Sequence, residues 1–171
     1  MGHSAVVSLW LLCAWMGWTG ALVWIAPIAI AAAVAATAYT GFLFAQGLAR
    51  DLWQGPHNTI DLLLQAAAEG SAMMLLVAMF VGPGAGTVRA LALTRAIASL
   101  APLTIPALEH LLVPSPTVNH ALAVRAIRHG AYRRQFWIGA LGLGGLAPVL
   151  IVSLAAAAHF SLVLLVPAAL V

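Results

Sequence analysis

Long apolar stretches separated by short polar breaks run along almost the whole chain. An α-helix needs about 20 predominantly apolar residues to cross a bilayer, and six stretches approach or exceed that length. They cover residues 3–17, 23–47, 57–81, 88–113, 133–155 and 158–171. The breaks between them are rich in glycine and proline, as at 17–20, 82–86 and 114–116. The pattern predicts an all-α protein, a polytopic transmembrane bundle of about six helices.

One segment has a different pattern. Between residues 117 and 131 the apolar Val118, Leu122 and Ile127 alternate with arginine, histidine and asparagine. A short helix with one apolar and one basic face lies in the plane of the membrane interface. We therefore predict an interfacial amphipathic helix here.

Composition supports this fold class. Hydrophobic residues make up 64% of the 171 residues and charged residues only 6%, whereas a soluble domain carries about 25% charged residues. The net charge is +3, and all seven basic residues are arginines, because the chain has no lysine. A positive-inside bias explains these arginines better than nucleic-acid binding. The single cysteine, Cys13, excludes a disulfide within the chain.

The arginines also predict the orientation. Five lie in or next to the segments 48–56 and 114–132, and one lies on the opposite side of the predicted bundle. Because arginine accumulates on the cytoplasmic side, we expect both segments to face the cytoplasm. The five are Arg50, Arg125, Arg128, Arg133 and Arg134, and the opposite one is Arg89.

The two ends of the chain lack the flanks of complete membrane helices. The first predicted helix begins at Met1 with no polar flank. The last has about 14 residues, or about 21 Å of rise, against a hydrocarbon core of about 30 Å. The sequence therefore predicts a single transmembrane bundle over residues 1–171 that is part of a longer membrane subunit.

The third predicted helix carries a polar stripe. His57, Asp61, Gln65 and Glu69 recur every four residues on an otherwise apolar surface, so they share one face. Ionisable groups within the bilayer are costly, and each is a functional candidate. The stripe either lines a proton path in the bundle interior or forms hydrogen bonds to neighbouring helices as polar glue.

The fourth predicted helix supplies partners at matching depths. Arg95 and Glu109 lie on one face, with Ser99, Pro102 and Pro106 between them. Glu69 lies about 18 Å from the cytoplasmic edge and Arg95 about 9 Å from the outer edge, so their depths in a core of about 30 Å differ by only about 3 Å. A Glu69–Arg95 pair is geometrically allowed.

The same arithmetic groups further candidates near the cytoplasmic edge. Asp61 and Glu109 both lie about 6 Å inside it, with His57 and His110 nearby. Carboxylates and histidines at successive depths suit a proton relay, and a structural ion pair is the alternative. The proton-transfer candidates are therefore His57, Asp61, Gln65, Glu69, Arg95, Glu109 and His110.

The sequence indicates no cofactor or metal held within the chain. His110 and His159 are expected on opposite sides of the membrane, too far apart to ligate one haem iron. There is no cysteine cluster and no glycine-rich nucleotide-binding motif. No residue can be assigned to quinone binding on this basis.

Two runs of residues resemble a known family. The run Thr37-Ala38-Tyr39-Thr40-Gly41-Phe42-Leu43-Phe44-Ala45-Gln46 continues through Arg50-Asp51-Leu52-Trp53-Gln54 and Pro56. A second, looser run comprises Glu109-His110, residues 120–130, Tyr132, Phe136-Trp137 and residues 142–148. Together they resemble the NrfD/polysulfide-reductase membrane-subunit family over most of residues 30–150.

The resemblance implies a cofactor-free subunit of the bacterial cytoplasmic membrane that exchanges electrons between the quinone pool and a ferredoxin-like iron–sulfur subunit. That partner serves a catalytic subunit, often a molybdopterin enzyme, and some relatives also move protons. Family members have eight or more helices, so this chain corresponds to a part that begins within the third. Whether the subunit reacts with quinone itself or is non-catalytic stays open. The alternatives are a small proton channel or transporter that uses the buried acids, and a structural membrane anchor.

Overall fold

The regular structure is helical wherever the structure, a computed structural model, describes the chain, namely residues 2–46, 58–100 and 117–171. The prediction of an all-α bundle is confirmed. One element is a π-helix, π1, and the others are α-helices. They are α1 (Gly2–Trp15), α2 (Thr19–Ala45), α3 (Asn58–Val81), α4 (Ala85–Ser99), α5 (Val118–Arg128), π1 (Gln135–Leu146), α6 (Ala147–Ala157) and α7 (Leu162–Leu170).

Three helical stretches of the described residues are long and apolar enough to cross a membrane. They are Thr19–Phe44, Asn58–Val81 and Gln135–Ala157, with mean hydropathies of 2.2, 1.6 and 2.1. The third joins π1 and α6 end to end. α1 is a shorter apolar helix of 14 residues. The predicted count of about six membrane helices is therefore not confirmed, and residues 101–113 of the fourth predicted helix lie outside the described residues.

Glycines make the two tight turns between the first four helices. Gly17 follows α1 with φ +71°, and Gly82 follows α3 with φ +62°. This left-handed conformation disfavours residues with a Cβ and is a common way to end a helix. Both glycines lie in breaks that the sequence predicted, and Gly84 then caps the start of α4.

Small residues allow four helices to pack closely around one core. Side chains of α3, α4, α6 and α7 form it, and its buried members are all alanine, valine or leucine. The buried set is Leu75, Val88, Ala92, Val152, Ala155, Leu165 and Ala168. Large apolar side chains point outward instead, such as Phe80 at 89% and Trp24 at 79% exposed. A bundle with small residues inside and large apolar residues outside suits a lipid environment.

The α1–α2 hairpin packs on the opposite side of α3, through contacts between α2 and α3. At the seam Gly41 of α2 is buried against Thr59 of α3, and a Cβ added at Gly41 would lie 3.0 Å from the Thr59 Cα. The glycine thus allows a close approach of two backbones. Beyond this seam, between residues 33–40 of α2 and 62–69 of α3, the two helices leave space for a groove.

The predicted amphipathic helix is present as α5, somewhat shorter than the predicted segment. The Thr117 hydroxyl caps it by accepting a hydrogen bond of 3.1 Å from the His120 backbone N–H. Val124 is buried, α5 packs against π1, and Val118 and Leu122 are exposed. The sequence predicted a helix over residues 135–146 but did not indicate that it is a π-helix.

Candidate functional site

The polar face of α3 lines a groove between α1, α2 and α3. The groove has a volume of about 490 Å³ and is open along one side. Alanines of α2 and α3 and Leu62 form its apolar wall. Its polar groups come from all three helices: His3, Thr37, Thr40, Gln65 and Glu69.

The wall formed by α2 presents two hydroxyl oxygens. Thr37 Oγ1 donates to the carbonyl oxygen of Ala33 and Thr40 Oγ1 donates to that of Ala36, both at 3.0 Å. Such bonds to the preceding turn satisfy the hydroxyl protons within an apolar helix. The lone pairs of both oxygens stay available as acceptors for a group in the groove.

On α3 the predicted stripe is ordered by its four-residue spacing. Gln65 Nε2 donates a hydrogen bond of 2.9 Å to Asp61 Oδ2, one turn earlier. Glu69 lies one turn further along, and its side chain is exposed to the groove. Because residues at i and i+4 stack on one face, Asp61, Gln65 and Glu69 form a continuous polar line along the helix.

Arg95 lies in the core of the bundle beside this line. Only 7% of it is exposed, and its Nε donates a hydrogen bond of 3.0 Å to the carbonyl oxygen of Ala168 in α7. Its own carbonyl oxygen accepts a bond of 2.7 Å from Ser99 Oγ.

Glu69 and Arg95, the predicted pair, interact electrostatically but are not in direct contact. The charge of Glu69 acts on the Arg95 guanidinium. Within the described residues, however, the two side chains form no ion pair at 4.0 Å or less. The arginine forms its direct hydrogen bond to the α7 backbone instead.

Sequence reasoning did not single out His3. It lines the groove from α1, and its Nδ1 is buried with no hydrogen-bond partner among the described residues. An imidazole near the end of an apolar helix is an ionisable group in a costly place, and that signal was present in the sequence. What the sequence lacked was the packing of α1 opposite the stripe.

The other predicted candidates, His57, Glu109 and His110, lie outside the described residues, so the structure does not relate them to the groove. In the described part of the chain, no group of three or more His, Cys, Asp or Glu side chains has the arrangement of a metal site. The site built from described residues therefore consists of one acid, one amide, two hydroxyls and one imidazole, beside the Asp61 carboxylate and the buried Arg95.

An apolar helical bundle with such a polar groove is typical of a membrane protein. The chain matches the polysulphide reductase, NrfD family over residues 3–171, and it belongs to that family. The resemblance found in the sequence is thus confirmed, over a longer stretch than the two runs that indicated it. Proteins of this family are membrane subunits of quinone-linked oxidoreductases. No curated protein and no solved structure gives a significant match.

Proposed function

We propose that this chain passes electrons between the quinone pool and an iron–sulfur partner subunit, and that its α1–α2–α3 groove handles the protons of that reaction. The partner would connect to a catalytic subunit, for which a molybdopterin enzyme is the expected class. Membership of the family and the apolar outer surface support the membrane-subunit role. We expect no cofactor within the chain, so electrons move directly between quinone and the partner's clusters.

The groove is the observation that carries the proposal. Reduction of a quinone takes up two electrons and two protons, and oxidation of the quinol releases them. A proton acceptor and donor must therefore lie beside the reacting ring. The volume of about 490 Å³ and the open side of the groove suit a site that a small molecule can enter.

Each polar group of the groove has a role in this proposal. Glu69 exchanges the proton, and the hydroxyls of Thr37 and Thr40 accept hydrogen bonds from a quinol. Gln65 and Asp61 continue the polar line in steps of four residues, or about 6 Å each. Arg95, buried in the core beside this line, interacts electrostatically with Glu69. His57, Glu109 and His110 would extend the relay towards the cytoplasmic edge.

The proposed orientation completes the path. Five arginines on one side against one on the other put segments 48–56 and 114–132 in the cytoplasm of a bacterium. The Asp61 end of the line then lies near the cytoplasmic surface, and Glu69 lies deeper in the membrane.

The test is Glu69→Gln in the intact oxidoreductase complex. The substitution keeps the size and hydrogen bonding of the side chain and removes its titration. Loss of a general acid or base lowers rates by about 10²- to 10⁴-fold, so quinone-linked turnover should fall by at least about tenfold while the subunits stay assembled. Ser153→Ala is a matched control, since this exposed hydroxyl of α6 bonds only to its own helix at Val149.

If Glu69→Gln keeps full turnover and full proton coupling, the groove does not take part in the proton transfer of this reaction. A second measurement distinguishes the proposed electron-transfer role from the alternative of a proton channel. Proteoliposomes that contain only this chain should conduct no protons without quinone and partner, and a flux abolished by Glu69→Gln there would favour a proton channel.

A further inference from the structure

A second pocket lies at the start of the last apolar span, far along the chain from the groove. It has a volume of about 340 Å³ and is lined by Arg133, Arg134, Trp137 and Ile138. All four side chains are exposed. Two arginine side chains therefore line this pocket together with an indole ring and an aliphatic side chain.

The position of the pocket is that of a membrane interface. Arg133 and Arg134 directly precede Gln135, the first residue of the apolar span Gln135–Ala157. Tryptophan is enriched where apolar chains meet headgroups, and Trp137 lies in the first turn of that span. Its Nε1 donates a hydrogen bond of 3.3 Å to the carbonyl oxygen of Arg128, which fixes the ring between α5 and π1.

The segment that carries the pocket is strongly basic. Residues 117–171 contain four arginines and no aspartate or glutamate. Arg89, by contrast, lies with its guanidinium 5.9 Å from the centre of the Phe160 ring. A general bias for arginine at one side of a membrane explains the charge, but it does not explain a mostly apolar pocket lined by two arginines, a tryptophan and an isoleucine.

We propose that this pocket binds the headgroup of an anionic phospholipid. The guanidinium forks of Arg133 and Arg134 suit the phosphate oxygens, while Trp137 and Ile138 contact the glycerol and the first acyl carbons. Basic pockets at the ends of membrane helices bind such lipids. The helix α5, which packs against π1, exposes Val118 and Leu122 at 77% and 60%, and exposed apolar side chains on this element suit lipid better than an acidic protein face.

The experiment uses the full chain purified in a zwitterionic detergent. Thermal unfolding is followed while dioctanoyl-phosphatidylglycerol, dioctanoyl-phosphatidylcholine or inorganic phosphate is added. We expect the phosphatidylglycerol alone to raise the unfolding temperature. The variant Arg133→Gln/Arg134→Gln should bind it at least about tenfold more weakly. Arg89→Gln/Arg125→Gln removes the same charge outside the pocket and should keep near-normal affinity.

Several results would overturn the proposal. Equal stabilisation by inorganic phosphate would make the site a simple anion site, and equal stabilisation by phosphatidylcholine would remove the headgroup preference. An equal loss of phosphatidylglycerol affinity in the two double variants would show that the lipid responds to the overall positive charge and not to this pocket. No lipid effect, combined with loss of the partner subunit from Arg133→Gln/Arg134→Gln, would assign the pocket to protein docking. If the double variant fails to fold, Trp137→Leu tests the apolar half in the same assay, and unchanged lipid affinity there would also contradict the site.

Discussion

The guanidinium Nε of Arg95 donates a hydrogen bond of 3.0 Å to the carbonyl oxygen of Ala168, joining α4 to α7 inside the core. Ala168 is fully buried, and only 7% of Arg95 is exposed. A buried charge needs such a partner, since its desolvation is costly. Arg95 thus has a structural role in addition to its electrostatic interaction with Glu69.

Replacing this arginine should destabilise the bundle. A hydrogen bond to a charged group contributes about 1.5–3 kcal/mol, so Arg95→Gln should lower the unfolding free energy by about that amount. Thermal unfolding in detergent measures it. Arg89→Gln is the matched control, because its exposed contact with Phe160 contributes only about 0.5–1 kcal/mol. Equal effects of the two substitutions would show that the bond to Ala168 is not what holds α7.

The α2–α3 seam predicts opposite effects for two glycines of one helix. Alanine favours a helix over glycine by about 1 kcal/mol, so Gly20→Ala, with nothing within 4 Å of the new methyl group, should be neutral or stabilising. Gly41→Ala meets Thr59 and should cost about 1–3 kcal/mol through overpacking. Thermal unfolding of the two variants measures this difference in stability. A Gly41→Ala variant as stable as Gly20→Ala would mean that the two helices separate without cost.

The sequence predicts which site residues share one face of a helix, but not which residues of different helices come into contact. The Asp61–Gln65–Glu69 line was predictable because a four-residue spacing fixes a shared helix face. The depth arithmetic brought Glu69 to the level of Arg95, but depth says nothing about rotation around the helix axis. The direct bond of Arg95 to Ala168 therefore could not be foreseen.

Contributions from other helices were harder to predict. His3 and Thr37 enter the groove only through the packing of α1 on α2 and of α2 on α3, and Thr37 was noted in the sequence only as part of the run that resembles a known family. The π-helix at Gln135–Leu146 differs from an α-helix in its backbone hydrogen bonds, which the spacing of apolar side chains in the sequence does not reveal. The helix itself was predictable from its apolar length.

Orientation can be tested by labelling single cysteines in intact cells. Cys13→Ala gives the background, and Cys13 is only 3% exposed. Cysteines at Gln54 and Asn119 should react only after the cytoplasmic side is opened, because five arginines accompany those segments. A cysteine at Thr87, which is exposed next to Arg89, should react from outside. Labelling of either of the first two from outside would reverse the proposed topology.

Glu69→Leu separates chemistry from packing in the groove. The Glu69 side chain is exposed to the groove, and no described residue donates a hydrogen bond to it. Exposed substitutions usually change stability by less than about 0.5 kcal/mol, so Glu69→Leu should leave unfolding and assembly nearly unchanged. Turnover should nevertheless fall as far as in Glu69→Gln, since neither side chain exchanges a proton. Heat stability and quinone-linked activity are measured on the same preparation. If Glu69→Leu disrupts assembly while Glu69→Gln keeps full activity, Glu69 serves as polar glue between helices, and the proton of the quinone reaction travels by another route.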